Sequence, residues 1–232
     1  MAKTFEALQR AEREYQALRQ PRAAVPQVSA SSKIVSVVSP GGWHKLHYEL
    51  SARNPDQPLR RIMFTGVGFG VGVTHSVIQF ARAMSSVSGR KVLLVDANLK
   101  TPKLDRIFNI RPNVGFTDLL APNGTKVFNI VKPGKNDLYA FPCGRFYPAG
   151  VCDFKSGRLN SLFKMAGEKF DYTVLDSAPV TKSSESRSLC SRVDGVLLVV
   201  DAGKTNGQLV AAAKKEIEAA GGRLLGVVLN KR

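Results

Sequence analysis

Long apolar runs are missing from these 232 residues. No stretch approaches the ~18 apolar side chains that cross a bilayer, and the N-terminal region lacks the apolar centre of a secretory leader. A cytoplasmic chain is the expectation. Cysteine is scarce: Cys143, Cys152 and Cys190 are odd in number and carry no paired or zinc-ligand spacing, which fits reduced thiols and excludes a disulfide framework. Histidine adds little. His44 and His47 lie three apart on one expected helix face and His75 stands alone, with no carboxylate or cysteine at matching spacing, so all three read as surface residues. No Ser-His-Asp arrangement is visible in the residue order. Ser183, Ser184 and Ser186 read as a helix cap with its first turn.

Acidic residues are also few, 18 against 34 basic, for a formal charge of +16. A charge of that sign attracts lipid headgroups, nucleic acid or acidic polymers. No block of consecutive Lys/Arg occurs, and aromatics are not interleaved with basic residues as base-stacking platforms require, so nucleic acid is disfavoured against an anionic membrane surface. With 44% hydrophobic residues the chain is long enough to bury a full core.

What is present has a clear order. Phe5, Leu8, Ala11, Tyr15 and Leu18 recur at helical spacing with charge on the opposite face, which predicts an amphipathic helix over Lys3 to Arg19. Pro21, Pro26 and the Ser29-Ala30-Ser31-Ser32 run then read as a linker. The division is thus residues 1–32, helix and linker, followed by a domain over 33–232. That domain opens with a short strand from Lys33 to Val38 and a helix from Trp43 to Ala52. Strands follow near 60–65, 91–96, 138–142, 171–176, 194–201 and 223–229. Helices are expected near 74–87, 102–108, 115–120, 156–168, 183–191 and 206–220. Apolar strands alternating with amphipathic helices specify a doubly wound, mostly parallel α/β sheet covered on both faces.

The first long strand runs into Phe64–Val77, FTGVGFGVGVTHSV. Strand, glycine turn, hydroxyl residue and helix make the order of a phosphate loop. In such a loop the backbone N–H groups cradle phosphates, a lysine reaches the outer ones, and Ser or Thr holds Mg²⁺. Gly68, Gly70 and Gly72 keep the backbone permissive and Thr74 keeps the hydroxyl, but Val73 stands where the lysine belongs and Val67 replaces the first small residue. Two later strands, KVLLVD and YTVLD, end in Asp96 and Asp176. Carboxylates at strand ends beside a phosphate site are where magnesium ligands sit.

From about Leu59 to Lys231 the chain resembles the bacterial tyrosine kinases and their relatives in polysaccharide export, a branch of the ParA/MinD-like P-loop ATPases. The matching stretches are Leu93 to Lys100, Val174-Leu175-Asp176-Ser177-Ala178-Pro179, VDGVLLVVDAGK and LGVVLN. The resemblance implies a P-loop NTPase fold. It also implies Gly68, Gly70, Gly72, Val73 and Thr74 around a nucleotide's phosphates, with Asn230 at its adenine. Thr74, Asp96 and Asp176 would then hold Mg²⁺, the two aspartates being vestigial if the chain is inactive. The cofactors would be ATP or ADP with Mg²⁺ if nucleotide binding survives, or none.

This chain departs from the family pattern in several places at once. Asn98 and Lys100 replace the second carboxylate and the arginine of the D-x-D-x-R motif. Gly41, His44 and His47 stand where the family carries the E-x-x-R-x-x-R used in subunit contacts. The five tyrosines are scattered, with no terminal cluster. The expectation is a non-catalytic cytoplasmic protein in exopolysaccharide or capsule biosynthesis, peripheral to the inner membrane. It would dock on the cytoplasmic end of a membrane polysaccharide co-polymerase and self-associate weakly. The alternative is an active tyrosine autokinase, or a MinD-like positioning ATPase, that recruits a substitute cation. Lys100, Lys103 and Arg106 are the nearest candidates by sequence.

Overall fold

The computed structural model describes residues 34–36 and 40–230, apart from Arg53, Gln57, Ser88, residues 112–113, 125–126 and 146–151, and Ser156. The expected amphipathic helix and linker of residues 1–32 lie outside the described residues.

Among the described residues seven strands form one sheet: β1 (Ile34–Ser36), β2 (Arg61–Gly66), β3 (Val92–Ala97), β4 (Leu138–Phe141), β5 (Tyr172–Ser177), β6 (Gly195–Asp201) and β7 (Leu224–Asn230). Their spatial order is β1-β7-β6-β2-β5-β3-β4 and every pairing is parallel. The apolar runs of β2, β3, β5 and β6 occupy the middle and are buried almost throughout, as strands covered on both faces require.

The helices are α1 (Pro40–Ala52), α2 (Val73–Ser85), α3 (Leu104–Ile107), α4 (Phe116–Leu120), α5 (Gly157–Lys169), α6 (Ser184–Cys190) and α7 (Gly207–Ala219). Helix α2 turns Val77, Phe80, Ala81 and Met84 onto β2, β3 and β5, and α1 covers α2, with Trp43 edge-on to Phe80 at 6.4 Å between ring centroids. Helix α5 packs on β5, and α7 on β6 and β7.

Strand order explains where a site must fall. From β2 the chain moves one way across the sheet to β3, whereas from β5 it moves the other way to β6. Right-handed crossovers therefore send α2 and α6 to opposite faces. A crevice opens between them, beyond the carboxyl ends of the adjacent strands β2 and β5. The Gly66–Gly72 turn and Asp176 both lie at that edge.

The smaller expectations about caps and thiols meet direct structural observations. Ser183 is the N-cap of α6, its hydroxyl accepting from Ser186 N–H at 3.1 Å. His44 is exposed, while His47 is half-buried and shares a 2.7 Å hydrogen bond with the Tyr172 hydroxyl. Among the described residues no group of three or more His, Cys, Asp or Glu could hold a metal ion, and all three cysteines are free thiols.

Candidate functional site

The loop between β2 and α2 passes Gly70 at φ 79° and Gly72 at φ 93°, conformations that glycine adopts without a Cβ penalty. Gly72 has a second reason to be glycine. A Cβ there would meet the Asn230 carboxamide nitrogen at 2.0 Å. That nitrogen donates to the Val71 carbonyl at 2.9 Å, so the end of β7 is latched onto the loop.

Val73 opens α2 and is 9% exposed. Its side chain belongs to the hydrophobic core, and its Cγ2 lies 3.0 Å from where a Cβ on Gly66 would stand. The side chain at the lysine position thus packs into the core and brings no charge to the cleft it borders. Thr74 follows, and its hydroxyl donates to Asp176 Oδ2 at 2.7 Å. The first ladder bond of α2 runs from Ser76 N–H to the Gly72 carbonyl at 3.0 Å. The N–H groups of Val73, Thr74 and His75 stay outside the helix's own ladder, at its positive end.

Two carboxylates lie side by side beneath the loop. Asp96 on β3 and Asp176 on β5 are register partners, and both are fully buried. Asp96 is well satisfied: Oδ1 accepts from Asn98 N–H at 3.1 Å, and Oδ2 from Lys103 and Leu104 N–H at 3.0 Å each. Asp176 Oδ1 has no hydrogen-bond partner. Burial drives both acids above the usual carboxylate range. For Asp96 the backbone donors oppose the rise, whereas for Asp176 the neighbouring Asp96 charge reinforces it.

Above them a cleft of about 440 Å³ is lined by Gly68, Gly70, Gly72, Val73, Thr74 and Asn98. It is lined as well by Phe69, His75, Arg82, Lys103 and Ile107. The structure therefore gathers the glycines, Val73, Thr74 and Asn98 at one opening, with Asp96 and Asp176 under it. Asn230 lies against the back of the loop through its bond to Val71. Of the three candidate cations after β3, Lys103 lines the cleft. Lys100 is turned to Glu185, 3.6 Å away, and Arg106 is exposed outside the lining. Sequence reasoning missed Arg82, whose signal is plain helical spacing: it lies eight residues, about two turns, beyond Thr74 on the same face of α2.

The donor set fits a magnesium-bound phosphate group in all respects but one. Thr74, Asp176 and Asp96 would hold the ion directly or through water, and the unpartnered Asp176 oxygen is the observation that asks for one. When bound, the ion would neutralise phosphate charge. The lysine's share of that task has no source at position 73.

No protein-family model matches the chain. Among curated proteins it is 26% identical over 174 residues to the tyrosine-protein kinase CpsD of Streptococcus pneumoniae, covering 75% of this chain and 76% of that one. It is also 26% identical over 153 residues to the succinoglycan biosynthesis transport protein ExoP of Rhizobium meliloti (strain 1021), spanning 64% of this chain but 19% of that protein. Among solved structures, the kinase domain of VpsO superposes with a TM-score of 0.71 at 27% identity, covering 81% of this chain and 91% of that one. The chimerical protein CapA2B2 gives 0.76 at 24%, covering 86% and 94%. The septum site-determining protein MinD of Pyrococcus horikoshii OT3, solved with Mg-ADP, gives 0.61 at 23%, covering 74% and 70%.

The fold is that of the MinD-like P-loop proteins. In sequence the chain is similar to the bacterial tyrosine kinases.

Proposed function

We propose that this protein is a non-catalytic relative of those kinases, working as a cytoplasmic regulatory partner of a membrane polysaccharide co-polymerase in exopolysaccharide or capsule biosynthesis. One observation carries the non-catalytic part: Val73, where the lysine belongs, is packed into the core. Phosphoryl transfer relies almost wholly on positioning and charge neutralisation, and one missing donor commonly costs ~100- to 1000-fold in rate. Asn98 compounds the loss. Its carboxamide oxygen accepts from Thr101 N–H at 3.0 Å, so the residue closes a turn where the family has a second carboxylate.

The partner part rests on kinship. One relative is a succinoglycan biosynthesis transport protein that contains the matched region within a much longer chain. Residues 1–32, with their amphipathic pattern, would provide a docking element, and residues 33–232 the globular unit. No helix among the described residues is long and apolar enough to cross a membrane. The +16 charge favours residence beside anionic headgroups.

The test is incubation of the full chain with labelled ATP and Mg²⁺. No label on tyrosine is the expected result. Robust tyrosine labelling that Asp176→Ala abolishes would overturn the non-catalytic reading in favour of an autokinase with a recruited cation.

A further inference from the structure

We propose that Lys103 and Arg82 together supply the positive charge that the loop lacks at position 73, so that the cleft holds the phosphate chain of a nucleoside triphosphate weakly and without transferring it.

The argument starts from the geometry of what remains. Helix α2 is 13 residues long and presents its free N–H groups to the cleft through a loop that two positive-φ glycines keep open. Below that opening, Asp176 is fully buried with one carboxylate oxygen unpartnered and the other held by Thr74. A buried oxygen without a donor calls for a cation, and a divalent ion there would carry phosphate on its outer side. What an anion at this place still requires is a source of positive charge to replace the lysine.

Two side chains offer it. Lys103 lines the cleft, and its stem is anchored because its own N–H donates to Asp96 Oδ2 at 3.0 Å, one strand away from Asp176. Arg82 lines the same cleft from the third turn of α2. Among the described residues neither is in an ion pair, although the Lys103 charge acts on the buried Asp176, whereas Lys100 is bridged to Glu185. Basic side chains left unpaired at the mouth of a phosphate loop keep their charge available to a ligand. Both reach in from the rim, so their attraction is screened by salt and the binding is weak.

This inference rests on the reading of the cleft as a phosphate loop, and it is independent of whether any phosphoryl group is transferred. The experiment is titration calorimetry on the full chain with Mg²⁺ at low salt, using ATP, inorganic triphosphate and adenosine as separate probes. ATP and triphosphate should bind and adenosine should not. Lys103→Gln should weaken both by about tenfold, Arg82→Gln by a smaller factor, and Lys100→Gln should change nothing. Unchanged circular dichroism of each variant shows that it is folded. No binding of ATP or triphosphate at millimolar concentration would overturn the proposal, as would equal affinity in the wild type and Lys103→Gln. Binding of adenosine as tight as that of ATP would also overturn it, because recognition would then lie with the base. Such failures leave the non-catalytic reading standing, whereas Asp176-dependent tyrosine labelling would sink that reading and leave the binding result intact.

Discussion

The Thr74 hydroxyl donates to Asp176 Oδ2 at 2.7 Å, while the other oxygen of the same carboxylate finds no donor. The pairing keeps a loop-bearing helix and a central strand in register at the point where a metal ion would sit. It also leaves a buried acid beside a second buried acid, Asp96, which is an electrostatic liability in the absence of a cation.

That liability sets a pH dependence. Burial and the Asp96 charge raise Asp176 above its ordinary 3.8, so the folded state holds this proton more tightly than the unfolded chain does. The contribution is complete below the unfolded value and is lost as pH climbs to the raised one. Asp176→Asn removes the ionisation and should stabilise the metal-free protein at about pH 8 by roughly 1–3 kcal/mol, with the gap closing towards about pH 4. Thermal melts across that range check it. Millimolar Mg²⁺ should raise the melting temperature of the wild type at the higher pH and leave the variant unmoved.

Position 73 makes a separate prediction about the loop. Val73→Lys withdraws a buried isopropyl group from behind Gly66 at a cost of about 1–2 kcal/mol. In exchange it presents an ammonium to a cradle whose glycines and hydroxyl are already in place. ATP affinity should rise by at least about tenfold, measured by the same calorimetry, while the melting temperature falls by a few degrees. A fall in stability with no gain in affinity would mean that the loop backbone is not shaped for phosphate.

Gly72 and Asn230 should prove energetically coupled. Gly72→Ala introduces a side chain at φ 93° and drives it into the Asn230 carboxamide, so a loss of roughly 2–4 kcal/mol is expected in denaturant melts. Asn230→Ala alone should cost about 1 kcal/mol through the lost bond to Val71. In the double variant the clash is gone and the φ strain alone persists, so the two effects should sum to more than the measured loss.

Sequence reading recovered the fold because strands buried on both faces must be continuously apolar, and β2, β3, β5 and β6 obey that rule. Their observed ends lie within two residues of the expected ones. The glycines, Val73 and Thr74 were legible because one contiguous motif carries them, and the aspartates because each closes an apolar run. The latch between Asn230 and Val71 was not, since it joins positions 159 residues apart through a side-chain direction that no local pattern encodes. Nor was the difference between Lys100 and Lys103, which depends on where Glu185, on a helix from the other end of the chain, happens to stand. Arg82 could have been found by extending the loop's helix two turns.

Docking on a membrane complex has two physical parts that should fail differently. Phe5, Leu8, Tyr15 and Leu18 form an apolar stripe in the sequence, and burial of such a stripe against a protein partner is insensitive to salt. Attraction of a strongly basic domain to anionic headgroups is instead screened within ~8 Å at physiological ionic strength. Deleting residues 1–20 should therefore release the protein from membranes that contain the polysaccharide co-polymerase at any ionic strength. Raising salt on the intact chain should remove only the fraction that also binds membranes lacking that partner. Co-sedimentation with the two membrane preparations makes the comparison. Equal binding to both, or retention of the truncated chain, would reduce the association to nonspecific adsorption of a basic protein and take away the basis for a dedicated docking helix.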